Sequence, residues 1–526
     1  MDTDVLIVGA GPTGLMLSNQ LGRRGVRTLL VDRHTGPARE TRALGVQART
    51  LEIYAQLGVI ERAMELGKKG VGASLWAGGR KTAHVPLGDA GADLTPYPFI
   101  LILGQDDNER ILGERLRDWG LAVQWNTELV GLEQHAGHAK ATLRRPDGSL
   151  RRVRAAWIAG CDGAHSSVRG LNGIDFPGAP YEHVFYVADV EVRGAMVPDE
   201  VNVFLWQEGF DLFFPMRGQG HWRIVGILPA ALRGRDDVGF EDVLPSVREE
   251  LRSPLAFATC SWFSTYRIHH RSAARFRDRR CFLLGDAAHI HSPVGAQGMN
   301  TGLQDAYNLA WKLALVVNQR ADPALLDSYE GERQPVARRL LNTTDRAFRL
   351  IVSDSALAGL LRTRVLARLA ALAMRRPGFQ RALFKRVSQI DIAYRDSALS
   401  RSRDGLPADA PHAGDRFPWL QLRFDASGGA VQGTFERFAD THFNLLLVGQ
   451  AAPAGKLSAF AGALRVHRVE PGAANDAELA RAAIPVPSFY LLRPDGHIGL
   501  CGRRLEDAAP IGAYFADAIG LHDTAR

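Results

Sequence analysis

The sequence predicts a mixed α/β protein of several domains, and three observations lead to this prediction. An apolar strand from Val5 to Val8 runs directly into a glycine-rich turn and a helix, as at the start of a parallel sheet covered by helices. The region from about residue 180 to 272 changes to strand-like segments, which indicates an antiparallel sheet. The length of 526 residues accommodates about three domains.

The composition is that of a globular protein. Hydrophobic residues make up 46% of the chain and charged residues 23%, which excludes a disordered, collagen-like or coiled-coil protein. The net charge of +7 comes from basic residues spread along the chain, so we expect small anionic ligands and no nucleic acid. No apolar stretch approaches the ~20 residues that span a bilayer, and the N-terminus lacks the basic region of a signal peptide. We therefore expect no membrane association.

The four cysteines predict a cytoplasmic protein without disulfides. Cys161, Cys260, Cys281 and Cys501 form neither a Cys-x-x-Cys pair nor the dense spacing of a secreted scaffold. The chain also lacks the sequence His-Glu-x-x-His and other metal-ligand clusters, so no metal site is predicted.

The N-terminal segment carries the residue pattern of a dinucleotide-binding unit. The first strand ends in Gly9-Ala-Gly11-Pro-Thr-Gly14, a helix follows, and a second strand from Val26 to Val31 ends at Asp32. Glycines let the backbone and the helix N-terminus approach a pyrophosphate, and the carboxylate accepts hydrogen bonds from a ribose. This pattern does not distinguish FAD from NAD. The predicted cofactor-binding residues of this unit are Gly9, Gly11, Pro12, Thr13, Gly14 and Asp32.

Two later segments repeat the design of a strand that breaks at an acidic residue beside a glycine. The first is Ile158-Ala-Gly-Cys-Asp162-Gly163, and the second is Cys281-Phe-Leu-Leu-Gly285-Asp286. The second segment is followed by Ser292-Pro293. From Thr301 onward apolar residues recur at helical spacing, so Gly298-Met299-Asn300 is predicted to lie at a helix N-terminus.

Taken together, these segments resemble the group A flavoprotein aromatic monooxygenases related to para-hydroxybenzoate hydroxylase. They are most similar to the branch of phenol hydroxylases and aromatic polyketide hydroxylases, and the resemblance runs from residue 1 to about 400. It implies FAD as the cofactor, NADPH or NADH as a transient co-substrate, and O2. It also implies a Rossmann-like FAD-binding domain, an inserted antiparallel-sheet substrate domain and a C-terminal thioredoxin-like domain.

The resemblance further implies roles for individual residues along the FAD. Asp286 would hold the ribitol and ribose side, and Asp162 would lie near both FAD and the nicotinamide. Arg42 and Gln105 would lie along the flavin and its phosphates, and Arg33 on the adenosine side. Backbone N–H groups at the predicted helix N-terminus would face the negatively charged edge of the reduced isoalloxazine. The remaining predicted cofactor-binding residues are Gly285, Pro293, Gly298, Met299 and Asn300.

The predicted antiparallel sheet supplies the expected substrate site. In the strand before the turn Arg217-Gly-Gln-Gly220, Leu212, Phe214 and Met216 share one face. By position, the resemblance favours Phe214 and Met216 as residues that line the pocket. This face is apolar where para-hydroxybenzoate hydroxylase holds a carboxylate, which favours a larger, uncharged or polycyclic aromatic substrate. The sequence singles out no catalytic base.

The chain is expected to divide at the changes of pattern. An FAD-binding domain is predicted in two parts, residues 1–180 and 275–400, the second with additional helices. The substrate-binding sheet domain would occupy residues 181–274, and the thioredoxin-like domain residues 401–526. The last domain has no Cys-x-x-Cys pair and therefore cannot carry out dithiol chemistry. A structural or oligomer-contact role is expected for it, and a homodimer is left open.

These features predict an enzyme that hydroxylates a phenolic or polycyclic aromatic compound through a flavin C4a-hydroperoxide, using NAD(P)H and O2. Two alternatives stay open: a Baeyer–Villiger oxidation of a polyketide ketone, and a protein that binds flavin and an aromatic compound without turnover. Missing motifs exclude other flavoprotein classes. The chain has no redox-active cysteine pair, no second Gly-x-Gly-x-x-Gly and no Trp-x-Trp-x-Ile-Pro segment of the flavin-dependent halogenases.

Overall fold

A computed structural model shows a mixed α/β fold, as the sequence predicts. Two of the predicted cofactor-binding residues, Arg42 and Pro293, lie outside the residues that the structure describes. Within the described part of the chain, no helix is both long and apolar enough to cross a membrane. The structure describes residues 1–38, 43–206, 209–235, 237–291, 296–352, 372–403, 405–424, 429–455 and 457–522.

Residues 3–171 alternate strands and helices around a buried parallel sheet. The first strand is an apolar run that is buried on both faces, and the first helix begins at Pro12, where the fixed φ of proline suits the first helical position. The elements of this part are β1 (Thr3–Val8), α1 (Pro12–Gly22), β2 (Thr28–Val31), β3 (Gly45–Val46), α2 (Ala48–Leu57), α3 (Ile60–Leu66), β4 (Lys68–Gly70), β5 (Gly72–Ala77), β6 (Arg80–Pro86), α4 (Leu87–Gly91), β7 (Ile100–Ile102), α5 (Gln105–Arg117), β8 (Val123–Gln124), β9 (Glu128–Gln134), β10 (Ala139–Arg144), β11 (Leu150–Gly160) and α6 (Ser167–Leu171).

The rest of the chain forms a second sheet, a group of long helices and a third sheet. The region of the second sheet contains the following strands and one helix: β12 (Gly178–Arg193), β13 (Glu200–Leu205), β14 (Phe210–Pro215), β15 (His221–Ile227), α7 (Phe240–Leu251) and β16 (Ala256–Ser272). Next come β17 (Arg277–Asp278), β18 (Cys281–Leu283), β19 (His289–Ile290), α8 (Gly298–Val317), α9 (Asp327–Val352) and α10 (Pro377–Val387). The C-terminal elements are β20 (Arg401–Ser402), β21 (Gln421–Leu422), β22 (Gln432–Gly433), α11 (Thr434–Arg437), β23 (Phe443–Val448), β24 (Leu464–Val469), α12 (Asp476–Arg481), β25 (Ser488–Leu492), β26 (Ile498–Gly502) and α13 (Ala509–Tyr514).

The first sheet has the strand order β17-β18-β11-β1-β2-β8, and β9 and β10 extend it from β11. Strands β18, β11, β1, β2 and β8 are parallel, so their carboxyl ends lie at one edge of the sheet. Strand β18 follows the second sheet in the chain but pairs directly with β11. The two parts of the predicted FAD-binding domain therefore share one sheet.

The second sheet is largely antiparallel and has the order β19-β16-β12-β15-β14-β13-β5-β6. Helix α7 and a cluster that includes Phe213 and Trp222 cover one of its faces. Strands β5 and β6 also belong to this sheet, because β5 pairs in parallel with β13. The expected substrate region, residues 181–274, leaves out this hairpin because it lies about a hundred residues earlier in the chain, where no sequence pattern connects it to the later strands.

A third sheet lies in the C-terminal part and has the order β20-β26-β25-β23-β24. Strands β23 and β24 are parallel, β25 runs antiparallel to both β23 and β26, and β20 pairs with β26 in parallel. One apolar core continues from the first sheet through α8 into this third sheet. The C-terminal part is therefore packed against the helices and is not held by a linker alone.

A buried ion network joins the third sheet to helices α8 and α9. The Arg493 guanidinium donates to both carboxylate oxygens of Glu332, at 2.6 and 2.9 Å, and also pairs with Asp495 at 2.5 Å. Glu332 accepts a further hydrogen bond from Lys312 at 2.7 Å. Burial alone would raise the pKa of Glu332, but the charges of Arg493 and Lys312 hold it well below its usual range. Each of these charges needs its partners, because an unpaired buried charge is costly.

We expect Arg493→Met to destabilise the protein far more than loss of an exposed arginine. Removing Arg493 leaves two buried carboxylates with one lysine, and breaking a buried pair costs about 3–5 kcal/mol. The matched control is Arg395→Met, since Arg395 pairs with Asp415 at the surface, where an ion pair contributes about 1 kcal/mol or less. Urea unfolding followed by tryptophan fluorescence measures both losses. Equal losses would contradict a stabilising role for the network.

A second buried carboxylate lies inside the second sheet. Asp211 on β14 accepts hydrogen bonds from the Tyr186 hydroxyl at 2.6 Å and from the Trp206 indole at 3.1 Å. Burial raises the pKa of Asp211 to about 7, although both hydrogen bonds act in the opposite direction. The folded protein therefore holds a proton at Asp211 that the unfolded chain releases above about pH 4.

The free energy of unfolding should fall as pH rises from 4 to 7, because over this range the folded state binds more protons at Asp211 than the unfolded state does. The variant Asp211→Asn keeps a neutral partner for Tyr186 and Trp206 and should lose this part of the pH dependence. Urea unfolding of both proteins at pH 5 and pH 8 tests the expectation. If the free energies of unfolding of the two proteins differ by the same amount at both pH values, Asp211 is charged in the folded protein from pH 5 to pH 8.

Candidate active site

The glycine-rich turn after β1 is shaped by close backbone contacts at two glycines and by open space at the third. Gly9 has φ +101°, and a Cβ there would lie 2.3 Å from the carbonyl oxygen of Cys161. A Cβ at Gly14 would lie 1.9 Å from the Gly9 carbonyl oxygen, so this glycine lets α1 pack against the turn. A Cβ at Gly11 would meet no atom within 4 Å. The N-terminus of α1 thus faces free space that a phosphate can enter.

Asp32, at the end of β2, is held by this same turn. Its Oδ2 accepts from the Ala10 N–H at 2.7 Å, and its Oδ1 accepts from the His34 N–H at 2.8 Å. Oδ1 also contacts His34 Nδ1 at 2.8 Å, so it is Oδ2 that retains a lone pair for a ribose hydroxyl. The next residue, Arg33, is exposed. Both residues are therefore placed where a nucleotide on the α1 N-terminus would pass.

Gln105 lies at the start of α5 beside the loop that follows Asp32. Its amide donates to Glu109 Oε1 at 2.9 Å, and Glu109 Oε2 accepts from the Ala38 N–H at 2.9 Å. Burial raises the pKa of Glu109, and the negative charge of Asp32 adds to that effect. A cleft of 680 Å³ opens here, and its lining includes Ala10, Ala38 and Glu109.

The two later acidic turns meet the glycine turn because of the strand order. Gly160 of β11 pairs with both Val8 of β1 and Leu283 of β18, and all three strands are parallel. The turns that follow them contain Gly9, Asp162 and Asp286, so these residues come together at one edge of the sheet. Nearly 300 residues of sequence separate the first turn from the last. The sheet thus brings together the three motifs that the sequence predicts as one site.

Asp286 projects from a tightly packed turn. Its side chain is exposed, whereas Gly285 before it and Ala287 after it are buried. The protein on either side of this turn reduces hydration of the carboxyl, which raises the pKa of Asp286. An exposed carboxylate within such a recess is suited to hydrogen bonding with the hydroxyls of a bound ligand. Gly285 itself has φ +56°, and a Cβ there would lie 2.7 Å from Thr13 Oγ1.

Asp162 is more enclosed than Asp286. Its Oδ2 accepts from the Val168 N–H at 3.1 Å, which holds the turn against the start of α6. Burial raises the pKa of Asp162. Arg169 connects the two acidic turns, because it donates to the carbonyl oxygens of Ala164 at 2.7 Å and Ala287 at 2.9 Å. Arg169 lies seven residues after Asp162, but the sequence gives it no role, because its second partner, Ala287, lies in a distant segment.

Asp305 on α8 holds the turn that contains Asp286. The sequence analysis did not identify this residue. It accepts from the Gly285 N–H at 3.0 Å, from His289 Nε2 at 2.8 Å and from Arg333 Nε at 2.6 Å. Burial alone would raise the pKa of Asp305, but the charges of Arg333 and His289 keep it below its usual value. The sequence signal that could have identified Asp305 is an aspartate within the apolar repeat of a helix that is predicted to be buried.

The start of α8 lies where the sequence predicts it, at Gly298. Asn300 is fully buried, and its side chain is engaged within the protein. Its Oδ1 accepts from the Gln47 N–H at 2.9 Å, and its amide donates to the carbonyl oxygens of Gly45 and Ala296 at 2.8 Å. Asn300 therefore joins the starts of α8 and α2. Only the backbone N–H groups of the first helical turn, which have no partners within the helix, remain available to a ligand.

Phe214 and Met216 lie on the face of the second sheet opposite α7. Both are half-buried, and they belong to an apolar cluster that joins this sheet to the first part of the chain. Ala296, two residues before α8, is in the same cluster. The predicted alternation along β14 is thus present, since Phe213 points into the opposite core. The other buried members of this cluster are Leu44, Ile100 and Ile102.

A partly buried ion pair interrupts this face, which corrects the prediction that the face is apolar. Phe214 lies opposite Arg223 in the register of β14 and β15, and Arg223 lies opposite Asp189 on β12. Residues opposite one another share a face of the sheet. Arg223 donates to both oxygens of Asp189, at 2.5 and 2.6 Å, and stacks over Trp262. The sequence gives no register between strands, so it could not place this pair beside Phe214.

The fold and the converging turns define a dinucleotide-binding protein with an additional, largely antiparallel sheet. Residues 2–344 match the family described as "FAD binding domain", and the chain belongs to this family. It is 34% identical over 510 residues to 6-methylpretetramide 4-monooxygenase of Streptomyces rimosus, covering 95% of this chain and 91% of that protein. It is also 34% identical over 427 residues to pentachlorophenol 4-monooxygenase of Sphingobium chlorophenolicum, covering 80% and 76%.

Solved structures show the same fold. An anhydrotetracycline hydroxylase from Streptomyces rimosus has a TM-score of 0.77 and 29% identity, with 99% of both chains covered. A flavin-dependent monooxygenase in complex with FAD and substrate has a TM-score of 0.81 at 24% identity, covering 98% and 99%. The chain is therefore an FAD-dependent aromatic monooxygenase that uses NAD(P)H and O2, which confirms the predicted family, enzyme class and cofactors.

We expect Gly11→Ala to weaken FAD binding without disturbing the fold. Gly11 has φ −70°, which alanine adopts freely, and its Cβ would meet no protein atom. The methyl group would instead occupy the space next to the α1 N-terminus, and we expect the FAD dissociation constant to rise about tenfold, or about 1.4 kcal/mol. Titration of the apoprotein with FAD, followed by flavin fluorescence, measures the change.

Gly331→Ala is the matched control, because its Cβ also meets open space but lies on α9. It should bind FAD as the natural protein does. Unchanged FAD affinity in Gly11→Ala, with an unchanged thermal midpoint, would show that the pyrophosphate does not approach this turn.

Proposed function

We propose that this monooxygenase hydroxylates a polycyclic, oxygen-bearing aromatic compound on the face of the second sheet that carries Phe214 and Met216. The observation that carries the proposal is the apolar cluster in which both residues pack with Ala296, just before α8. An aromatic ring held there would lie between the sheet and the helix N-terminus assigned to the flavin. The similarity to 6-methylpretetramide 4-monooxygenase over 95% of the chain favours a polycyclic compound over a simple phenol.

The turns at the sheet edge are proposed to hold FAD. The free space at Gly11 suits the pyrophosphate, Asp32 and Arg33 suit the adenosine side, and the exposed Asp286 suits the ribitol hydroxyls. Gln105 and Asp162 lie along the same edge. When bound, FAD accepts reducing equivalents from NAD(P)H and activates O2 for transfer to the ring. The positive end of the α8 dipole at Gly298 would stabilise negative charge on the adjacent ligand edge.

The Asp189–Arg223 pair is proposed to orient the substrate. The pair is neutral overall, so it does not require a charged substrate, and it lies in the same lateral row as Phe214. The Asp189 side chain is 21% exposed and can accept a hydrogen bond from a substrate hydroxyl. The apolar residues around the pair exclude water and position the ring, and the pair fixes which edge of the ring system faces inward.

The C-terminal part, residues 401–526, is proposed to be a thioredoxin-like domain with a structural role. The parallel pair β23–β24 followed by antiparallel β25 and β26 supports this assignment. The cysteine in this part, Cys501, is buried, and burial raises its pKa, so it does not form a reactive thiolate. The predicted homodimer and the domain boundaries remain predictions. A cytoplasmic location is proposed on the basis of the four free cysteines.

The function is tested by anaerobic mixing of the holoenzyme with NADPH or NADH in the presence of naphthols, hydroxyanthraquinones and tetracyclic phenols. We expect one polycyclic class to accelerate bleaching of the flavin strongly. Under ¹⁸O2 the product should gain one labelled oxygen as a ring hydroxyl. Oxygen inserted beside a carbonyl would instead establish the Baeyer–Villiger alternative. Rapid reduction without any aromatic compound, or no product with all of them, would contradict the proposal.

The variant Phe214→Ala should lower the fraction of NAD(P)H consumption that yields hydroxylated product, because the ring is held less closely. Phe263→Ala is the control, since Phe263 is half-buried on the opposite face of the same sheet. It should keep the natural coupling ratio, which is measured as product formed per NAD(P)H oxidised. Equal loss of coupling in both variants would argue against a substrate position beside Phe214.

A further inference from the structure

A basic cleft lies at the opposite ends of the two helices that begin at the cofactor site. Arg24 follows the end of α1, and Arg320 follows the end of α8. Helix α1 is 11 residues long, so Arg24 lies about 16 Å or more from the glycine-rich turn. The C-terminal part closes the other side of the cleft with Thr441 and His442. The volume is 210 Å³, and the apolar floor is formed by Trp311, Ala314, Phe443, Ala463 and Pro494.

Among the described residues, the positive charges of this cleft outnumber the carboxylates that pair with them. Arg23 forms an ion pair with Asp440, to which it donates two hydrogen bonds, at 2.8 and 3.1 Å. Arg24 donates only to neutral oxygens, namely the side chain and carbonyl of Gln20 and the carbonyl of Asp440. Arg320 forms no ion pair within the described part of the chain, and its Nε is buried without a hydrogen-bond partner there.

A third arginine, Arg465, adds positive charge near the cleft. Arg465 on β24 donates to the carbonyl oxygen of Ala461 and has no carboxylate partner among the described residues. Burial lowers the pKa of His442, and the charges of Arg465, Arg320 and Arg24 lower it further. The carbonyl ends of α1 and α8 offset only about half a charge each. An excess of positive charge therefore remains around the cleft.

We propose that this cleft binds a small multivalent oxyanion, such as phosphate or the phosphoryl group of a small ester. An arginine charge without a carboxylate partner attracts an anion, and the planar guanidinium matches the geometry of phosphate oxygens. Thr441 also lines the cleft, where its hydroxyl lies 3.0 Å from His442 Nδ1. The volume is below the range of about 300–1,000 Å³ for drug-sized ligands, which favours a compact ion.

The bound anion would connect two parts of the chain. Arg24 and Arg320 belong to the cofactor-binding part, whereas His442 and Arg465 belong to the C-terminal part. An anion held between them would stabilise their contact, and its affinity would appear as a rise in the thermal midpoint. The inference is independent of which aromatic compound the enzyme oxidises.

The test uses the FAD-loaded enzyme, so that the pyrophosphate site is already filled. Thermal unfolding is followed with inorganic phosphate, with phenyl phosphate and with sodium chloride at matched ionic strength. We expect a saturable rise in the midpoint with phosphate and none with chloride. In Arg320→Gln the apparent affinity should fall about tenfold, as expected for the loss of one charge-assisted contact. Stabilisation by phenyl phosphate as strong as that by phosphate would identify an ester as an acceptable ligand.

Two further variants keep the test decisive. Arg320→Lys retains the charge but not the planar fork, and it should fall between the natural protein and Arg320→Gln. Arg145→Gln removes an exposed arginine from a distant hairpin and should behave as the natural protein does. Equal stabilisation by phosphate in the natural protein and Arg320→Gln would overturn the proposal, as would an equal effect of chloride. If Arg320→Gln does not fold, Arg24→Gln replaces it with the same expected result.

Discussion

The structure depends on one buried helix that carries charges. Helix α8 is buried along nearly its whole length, yet it contains Asp305, Asn308 and Lys312. A buried charge is tolerated only with close partners, so the surrounding elements must supply them. Arg333 and His289 pair with Asp305, and Glu332 pairs with Lys312. These pairs fix α8 relative to the acidic turn at Asp286 and to α9.

The same constraint explains how the C-terminal part is connected to the active site. The turn from Arg493 to Asp495 inserts its charges between α8 and α9, and the Arg49 side chain of α2 donates to the Asp495 carbonyl oxygen at 2.6 Å. At the start of α8, Asn300 joins this helix to the segment before α2. Helix α8 is thus held at its start by Asn300 and in its second half by the ion network, and the start of α2 contacts both. We propose that this support is the role of the third sheet, which has no Cys-x-x-Cys pair.

The sequence was informative where function depends on short local patterns. The turn from Gly9 to Gly14 and the acidic turns at Asp162 and Asp286 were found because each lies within a few residues of a strand end. Their convergence followed from the resemblance and is explained by the parallel strand order. The partners of these turns were not found, because Arg169, Asp305 and Arg333 act across distances that have no fixed spacing in the sequence. The hairpin of β5 and β6 escaped the expected boundaries for the same reason.

By itself, the sequence determined the class of fold and the helix start at Gly298, since these depend on periodicity and glycine. The resemblance of its motifs to a known family identified the FAD-dependent monooxygenase family. Only the tertiary structure decided which side chains are available to contact a ligand. It engaged Asn300 within the protein, exposed Asp286, and placed the Asp189–Arg223 pair beside Phe214 on a face predicted to be apolar. The reason is physical: strand register and the pairing of buried charges depend on residues far apart in the chain, which meet only when the sheets and helices pack together.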